Sequence, residues 1–519
     1  MNKRLYQILY SVTVGMTSEP NIVQETSNAL TSLKGHEKHA KYIDFYKGIY
    51  NGIYKGLSGA CDTEYWGLGI ENETYLMNTE FKPVSKKFMV EQHNRERYSV
   101  NYWDNFKKEP LKAVLNQLPA TNLLPQYVNA YMFQNVDMSG QHKTLYVKGG
   151  GANPKFQGTT IDSYLREKSD IIRSMFDTNL IYDGDTFELT TFDFYKTTVT
   201  SVLEELDTIK KKFLDEVNRV LVSPKGLFPF PLIYPPLNYG FAVFTTNPNN
   251  LAICNAGTYH INITLPTPVN PDGSIKDLEA FRERHANAIR AIQWIEPMLV
   301  ALYGTPDILH NYDSSYAGGS LRMALSRYIG LGTYDTAKMK KGKLLNCFDW
   351  RGKGTYMSKI HINSPYIPPR TIGYDMNYNK FMKHGIELRF FDYFPEKYLE
   401  SVINLIVLAC AYSDTVDIPD PRKNVVWVDT VAQCIRHGSE RLLSRAFIQN
   451  IYKVFGVYSC YWWWPFTHED SVPNVLGKVV TCLYGGYKDS DICSKLSPGM
   501  KPIEIVDYTK KMKLYYRRK

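Results

Sequence analysis

The chain has 519 residues, 44% hydrophobic and 22% charged, which is the balance of a globular protein and excludes a disordered or fibrous one. At roughly 150 residues per domain, this length predicts three or four domains. The formal net charge is +9, but six basic residues and no acid fall in the last ten positions, so that residues 1–509 carry only +3. We therefore expect a nearly neutral body with a solvated basic tail, and we do not expect nucleic acid as a partner.

Cysteine spacing and the length of apolar runs indicate the cellular compartment and whether the chain crosses a membrane. The eight cysteines include no C-x-x-C pair, which argues against zinc modules and a disulfide framework and favours a reducing compartment. Residues 1–16 begin with basic residues and an apolar run, but polar residues interrupt the run and no small-residue cleavage site follows. The longest nearly apolar stretch, 402–412, is shorter than the ~20 residues of a membrane span. We expect a soluble cytoplasmic protein that has no membrane partner.

The first predicted strand covers residues 67–76 and is followed by a long segment without clear elements. Residues 74–165 are rich in Asn, Gln, Tyr and Pro, and we interpret them as an insertion or accessory subdomain, because structureless loops of that length are unusual. The glycine run 149–151 inside it is interpreted as a flexible connector, since no G-x-x-x-x-G-K-[ST] phosphate loop surrounds it.

Strands and helices alternate after the insertion. We predict strand 186–191, helix 198–221, strand 258–265, helix 277–303, strand 385–391 and helix 398–412. Ser274 or Asp277 is expected to cap the second helix, which Gly304 follows, and Pro395 precedes the third. Periodicity alone allows either an α/β or an α+β architecture. We divide the chain into an N-terminal segment 1–73, the insertion 74–165, a core 166–415 and a C-terminal region 416–519 with the basic tail.

An aromatic run at 461–466 lies in the C-terminal region. We interpret it as core or subdomain packing, although such rings can also stack on a base or a sugar.

The first strand carries two acids on one side. Side chains alternate faces along a strand, so Glu71 and Glu73 emerge together, about 6 to 7 Å apart. Two neighbouring carboxylates repel each other unless a cation lies between them. A solvent-facing polar strand would give the same pattern.

The later strands repeat this pattern of polar residues at alternate positions: Glu188; His260 with Asn262; Glu387 with Arg389. Each pattern alone is also typical of a local salt bridge or a capped core group. Together they predict that acids and a histidine from separate strands line one concave sheet face, where oxygen-rich ligands with one imidazole suit Mg²⁺ or Mn²⁺. Such a site would hold nucleotide phosphates, with arginines stabilising a transferred phosphoryl group.

These residues resemble the glutamate-cysteine ligases, within the glutamine synthetase-like group of carboxylate-amine ligases. The resemblance spans roughly residues 60–415, less the insertion, and follows the family's order of motifs. They are Gly-Ile-Glu-Asn-Glu at 69–73, Phe-Glu-Leu-Thr-Thr at 187–191, Gly-Thr-Tyr-His-Ile-Asn-Ile-Thr-Leu-Pro at 257–266, the helix exit 294–306, Ser-Leu-Arg-Met at 320–323, Pro-Tyr-Ile-Pro-Pro-Arg at 365–370 and Ile-Glu-Leu-Arg-Phe-Phe-Asp at 386–392.

The resemblance implies an α+β fold with a curved antiparallel sheet, a glutamine synthetase-like half barrel, backed by helices and carrying a long insertion. It implies that Mg²⁺ or Mn²⁺ is held by Glu71, Glu73, Glu188, His260 and Glu387. It implies that ATP phosphates or the substrate carboxylate are contacted by Arg322, Arg370, Arg389 and Asn262, with Arg322 and Arg389 catalytic. The reaction implied is phosphorylation of a glutamate γ-carboxylate by ATP and attack of an amine, cysteine first, on the acyl phosphate, as in glutathione biosynthesis.

Departures from the family pattern leave the amine open. The insertion between the first two acidic strands is longer than in bacterial members, and Tyr393-Phe394-Pro395 stands where an Asn-Pro is common. Asp183 and Asp185 are both candidates for the acid that precedes the second acidic strand. One alternative is an amidoligase that acts on a peptide or protein amine. Another is a catalytically inactive scaffold, or a nucleic-acid-associated protein that uses the tail; the oligomeric state is left open.

Overall fold

The computed structural model describes residues 64–78, 84–85, 123–124, 126–128, 161–183, 186–191, 197–224, 228–237, 242–244, 251–252, 257–268, 276–307, 310, 317–325, 376–377, 386–460 and 468–518. Several sequence predictions lie outside these residues: those for 1–16, the glycine run 149–151, the candidate acid Asp185, the candidate cap Ser274, the motif 365–370 with Arg370, and the aromatic run 461–466.

The centre of the fold is a six-stranded antiparallel sheet. In order across the sheet, its strands are β12 Met376–Asn377, β13 Ile386–Asp392, β11 Thr258–Pro268, β1 Glu64–Thr74, β7 Thr186–Thr190 and β6 Leu180–Asp183. It is curved and not closed, since its two edge strands do not pair with each other in the described part of the chain. The expected curved antiparallel sheet is therefore confirmed.

Small sheets flank this one. They consist of β2 Met77–Asn78 with β8 Leu232–Ile233, β3 Val84–Ser85 with β4 Leu123–Leu124, and β9 Ala242–Phe244 between β10 Leu251–Ala252 and β5 Gln126–Tyr127. The pair β5–β9 is parallel, whereas the other described pairs are antiparallel.

Alternation along the central strands gives the sheet one apolar face. Ile70 of β1, Ile261 of β11 and Leu388 of β13 are fully buried and belong to one hydrophobic core. Long helices cover this face: α3 Val199–Leu221, α4 Leu278–Tyr303 and α6 Leu399–Ser413. The polar residues of the same strands must therefore collect on the opposite face.

The three helices match the sequence predictions. Asp277 caps α4 by accepting the Ala280 N–H at 2.9 Å, and Gly304 follows its last residue. Helix α3 begins after Thr198, whose side chain forms a capping box with Ser201. Helix α6 is apolar on all sides because it is buried between the sheet and the C-terminal helices.

A second core lies under β6 and β7, where α1 Ile161–Lys168, α2 Asp170–Phe176 and α3 pack together. Leu76 and Val128, both inside the expected insertion, are buried in it and exchange backbone hydrogen bonds. The insertion is therefore tied to the core at its described residues, and position 165, its predicted end, lies inside α1.

The C-terminal region is helical and packs on the first core. Its helices are α7 Val425–His437, α8 Arg445–Val454, α9 Val457–Cys460, α10 Val472–Tyr487, α11 Asp491–Leu496 and α12 Tyr508–Arg518. Helix α12 corrects the expectation of a solvated tail, because Tyr508, Met512 and Lys513 on one of its faces are buried. Lys513 is only 2% exposed, and its ammonium group donates to the His437 carbonyl and to Glu440, each at 2.8 Å.

Cys410, Cys434 and Cys493 are buried free thiols, whereas Cys482 takes part in a disulfide bond. Among the described helices, none combines the length and the apolar character that crossing a bilayer requires.

Candidate metal centre

The polar face of the central sheet is built by the register of four strands. Glu71 of β1 lies opposite His260 of β11, and Asn262 of β11 lies opposite Glu387 of β13. On the other side of β1, Glu73 lies opposite Glu188 of β7. Directly paired residues on neighbouring strands share a face, so all five predicted cation ligands project from the same side of the sheet.

Three of these residues form a close group. One ligand atom each from Glu71, His260 and Glu387 can be chosen so that all lie within 4.8 Å of one another. His260 Nδ1 is 2.8 Å from Glu71 Oε2 and 3.8 Å from Glu387 Oε1. All three side chains are buried. Buried charges of this kind are paired or hold metal ions, because burying an isolated carboxylate is strongly unfavourable.

His260 is held in its neutral form. Burial, and then the positive charge of Arg389, lower the pKa of His260 well below its ordinary value. With a neutral ring, a proton on Nδ1 is donated to Glu71 and the lone pair of Nε2 faces the Arg322 guanidinium, 3.4 Å away. A neutral imidazole oriented by a carboxylate is the form in which histidine binds metals.

Two arginines reach the group from its rim. The guanidinium of Arg389 donates to Glu387 Oε1 at 2.8 Å, and Arg322 Nε donates to the backbone carbonyl of Arg389 at 3.2 Å. Both side chains are partly exposed. The site therefore joins acidic groups at its floor to cationic groups at its edge, an arrangement suited to a ligand that carries both a divalent cation and phosphate or carboxylate groups.

Glu73 and Glu188 extend the acidic surface beyond the group of three. Glu73 Oε1 is 3.5 Å from His260 Nε2, and Glu73 is 3% exposed, whereas Glu188 is only partly buried. Like charges directly opposite each other across a strand pair are destabilising. A cation between them would remove this repulsion, so this pair gives the face a second place where a divalent ion would be favoured.

Asn262 lies on the same face, and its amide donates to Glu71 Oε1 at 3.5 Å. The structure thus brings together every predicted site residue that it describes, while Arg370 lies outside the described residues.

Sequence reasoning missed Asp392, the last residue of β13. Strict alternation from Glu387 would place it on the apolar face. However, a bulge opposite His260 lets β13 advance three residues, Leu388 to Phe391, where β11 advances two, so Asp392 pairs with Thr258 on the polar face. The adjacent phenylalanines Phe390 and Phe391, which break the alternation, are the signal that was available.

The donor set fits a divalent cation. Carboxylate oxygens from several strands with one imidazole nitrogen are donors that divalent cations accept in proteins, and this described group contains no thiolate.

Fold and site together define an α+β protein with a candidate divalent-cation centre on the polar face of an open antiparallel sheet. The chain is 37% identical over 463 residues to uncharacterized protein R704 of Acanthamoeba polyphaga mimivirus, covering 86% of this chain and 80% of that protein. The chain belongs to the family of this viral protein. No family model and no solved structure matches the chain.

Proposed function

We propose that the protein is an ATP- and Mg²⁺-dependent carboxylate-amine ligase with a glutamine synthetase-like fold. It activates the γ-carboxylate of glutamate as an acyl phosphate and joins it to an amine, with cysteine the first candidate. The proposal extends the motif resemblance to the glutamate-cysteine ligases.

One observation carries the proposal. The acids and the histidine of four motifs, far apart in the chain, converge on one sheet face, with His260 and Glu71 in contact although 189 residues separate them. The alternative explanation of the same motifs is a polar strand that faces solvent, which would leave these side chains exposed. Instead, the buried side chains include Glu71, Glu73, His260 and Glu387.

The residues of the chain have distinct roles in this proposal. Glu71, Glu73, Glu188, His260 and Glu387 would hold the divalent cations. These cations neutralise phosphate charge when bound. A carboxylate is a poor electrophile until one of its oxygens becomes a leaving group, which the transfer of the γ-phosphoryl group from ATP achieves. Arg322 and Arg389, at the rim, are placed to contact the transferred phosphoryl group or the substrate carboxylate, where fixed positive charge stabilises the transition state.

The test is an incubation of the purified protein with glutamate, cysteine, ATP and Mg²⁺, in which phosphate and γ-glutamylcysteine are both quantified. We expect equal amounts of the two products, and we expect neither when glutamate or Mg²⁺ is left out. Parallel reactions with other amino acids and with peptide amines, analysed by mass spectrometry for a gain of one glutamyl unit, decide the acceptor.

Two variants make the test specific. Glu71→Gln keeps the shape of the side chain but removes a ligand charge, and we expect it to abolish both products. Glu216→Gln is the matched control, because Glu216 is also buried and paired but lies on α3, outside the polar face. Absence of products from the unaltered protein with every amine would defeat the proposal.

A further inference from the structure

Asp392 is a buried carboxylate that joins three segments of the chain. It is 4% exposed, and its oxygens accept hydrogen bonds from the Ser320 hydroxyl, from the Arg322 backbone N–H at 3.4 Å and from the Thr305 backbone N–H. Thr305 follows the end of α4, and the other two residues belong to the start of the short helix α5 Leu321–Leu325. A single side chain at the end of β13 therefore fixes the start of α5.

The start of α5 also carries one of the rim arginines. The Ser320 hydroxyl that donates to Asp392 accepts the Met323 N–H at 3.0 Å and so caps the helix. Arg322, within this first turn, extends its guanidinium to His260 Nε2. Within the described part of the chain, Asp392 makes no hydrogen bond to the cation ligands, so it affects the site through Arg322.

Hydrogen bonds and close packing also hold the backbone just before α5. Leu321 N–H donates to the Thr305 carbonyl at 2.7 Å, and Gly319 N–H donates to the Ile435 carbonyl at 3.0 Å. A Cβ atom at Gly319 would lie 2.0 Å from the Cys434 carbonyl oxygen, so the backbone passes directly over α7. With the preceding backbone held by α7, the hydrogen bonds of Asp392 decide the orientation of the first turn of α5.

We propose that Asp392 is a positioning residue of the candidate site: its carboxylate holds the first turn of α5 and thereby keeps the Arg322 guanidinium beside His260. This inference rests on the proposed function for its kinetic consequence, but its geometric part is testable without any activity.

The geometric test is amide hydrogen exchange at pH 7.5 on the full chain. In Asp392→Asn, the Arg322 amide within peptides covering 320–325 is expected to exchange at least about ten-fold faster, because its acceptor is weakened. The Met323 amide should follow, because its acceptor, the Ser320 hydroxyl, is no longer held by a carboxylate. Peptides from α6 should be unaffected. Unchanged exchange over 320–325 overturns the inference, whatever the protein catalyses.

The kinetic test is a double-mutant cycle with Arg322→Met. A misplaced arginine is expected to lower kcat about ten- to a hundred-fold in Asp392→Asn, while the affinity for Mn²⁺ alone stays within about two-fold. The double variant should be no slower than Arg322→Met, because both changes remove the same interaction. Effects that multiply would mean that Asp392 acts independently of Arg322, which would overturn the inference.

Two further variants complete the design. Ser320→Ala removes only the hydroxyl and serves if Asp392→Asn does not fold; faster exchange over 320–325 is again expected, and its absence counts against the inference. Asp470→Asn is the control, because Asp470 also accepts backbone and side-chain hydrogen bonds at the start of a helix, α10. Faster exchange in a protein that lacks turnover with every amine would support the positioning role and defeat the proposed function.

Discussion

Asp392 illustrates how one residue links stability to pH. Burial raises the pKa of Asp392 from 3.8 to about 6, against the hydrogen bonds from Ser320, Thr305 and Arg322, which favour the ionised form. The folded protein therefore binds this proton more tightly than the unfolded chain does. The stabilising contribution of the protonated group is fully present below about pH 4 and is lost as the pH rises through 6.

We predict that Asp392→Asn removes this pH dependence. Between pH 4 and 7, the unfolding free energy of the unaltered protein should fall by about 3 kcal/mol relative to that of the variant. This corresponds to about 1.4 kcal/mol for each unit of pKa change. Urea denaturation at several pH values measures it. A difference that stays constant over this range would show that Asp392 does not titrate there.

Glu73 is the residue at which activity and stability should separate. It is buried beside His260 and faces Glu188 across the strand pair. Glu73→Ala should abolish phosphate release and change the unfolding free energy in the absence of divalent cations by no more than about 1 kcal/mol, since relief of the repulsion offsets lost packing. Full turnover in the variant would show that Glu73 is not a ligand.

Helices and strands with a clear hydrophobic periodicity were predictable from the sequence. Features that depend on pairing with residues far away in the sequence were not. The capped helices α3 and α4 and the four long strands lie within a few residues of the predicted bounds. The bulge in β13 was not predicted, because its position depends on the register with β11, and the broken alternation at Phe390 and Phe391 shows an irregularity without giving that register. For this reason Glu387 was recognised as a site residue and Asp392 was not.

Helix α12 was missed for a different reason. A run of basic residues indicates a solvated segment on composition alone. The tertiary structure determines which residues of α12 are buried. Tyr508 and Met512 are buried, and Lys513 pairs with Glu440, because α12 packs beside the C-terminal end of α7. Charge counted along the sequence cannot predict such a partner.

We predict that the buried and exposed lysines of α12 differ in their effect on stability. Lys513→Met should lower the unfolding free energy by about 1–3 kcal/mol, because it leaves the His437 carbonyl and Glu440 without this donor. Lys510→Met, on the exposed side of the same helix, should change it by less than about 0.5 kcal/mol. Chemical denaturation of both variants gives the comparison. Equal effects would mean that Lys513 is as solvated as its neighbour.

At the scale of the whole molecule, the apolar core and the polar face depend on each other. The same strands place Ile70 and Ile261 in the core and Glu71 and His260 in the site, so the packing that fixes the sheet also brings the acids together. In the absence of a cation, repulsion among the buried acids therefore opposes folding. The ion pair between Arg389 and Glu387 offsets part of this repulsion. Cation binding and folding should be thermodynamically linked.

The linkage is measurable without knowledge of any substrate. A cation that binds only the folded state stabilises it by about 2.7 kcal/mol at a concentration of 100 times its Kd. We predict that Mn²⁺ raises the unfolding free energy in this way in the unaltered protein and in Glu216→Gln, but not in Glu71→Gln, which lacks one ligand charge. Mg²⁺ should give the same pattern, since both ions accept the same donors. If Mn²⁺ stabilised Glu71→Gln equally, the cation would bind elsewhere on the molecule, and the assignment of the metal centre to the polar face of the sheet would be wrong.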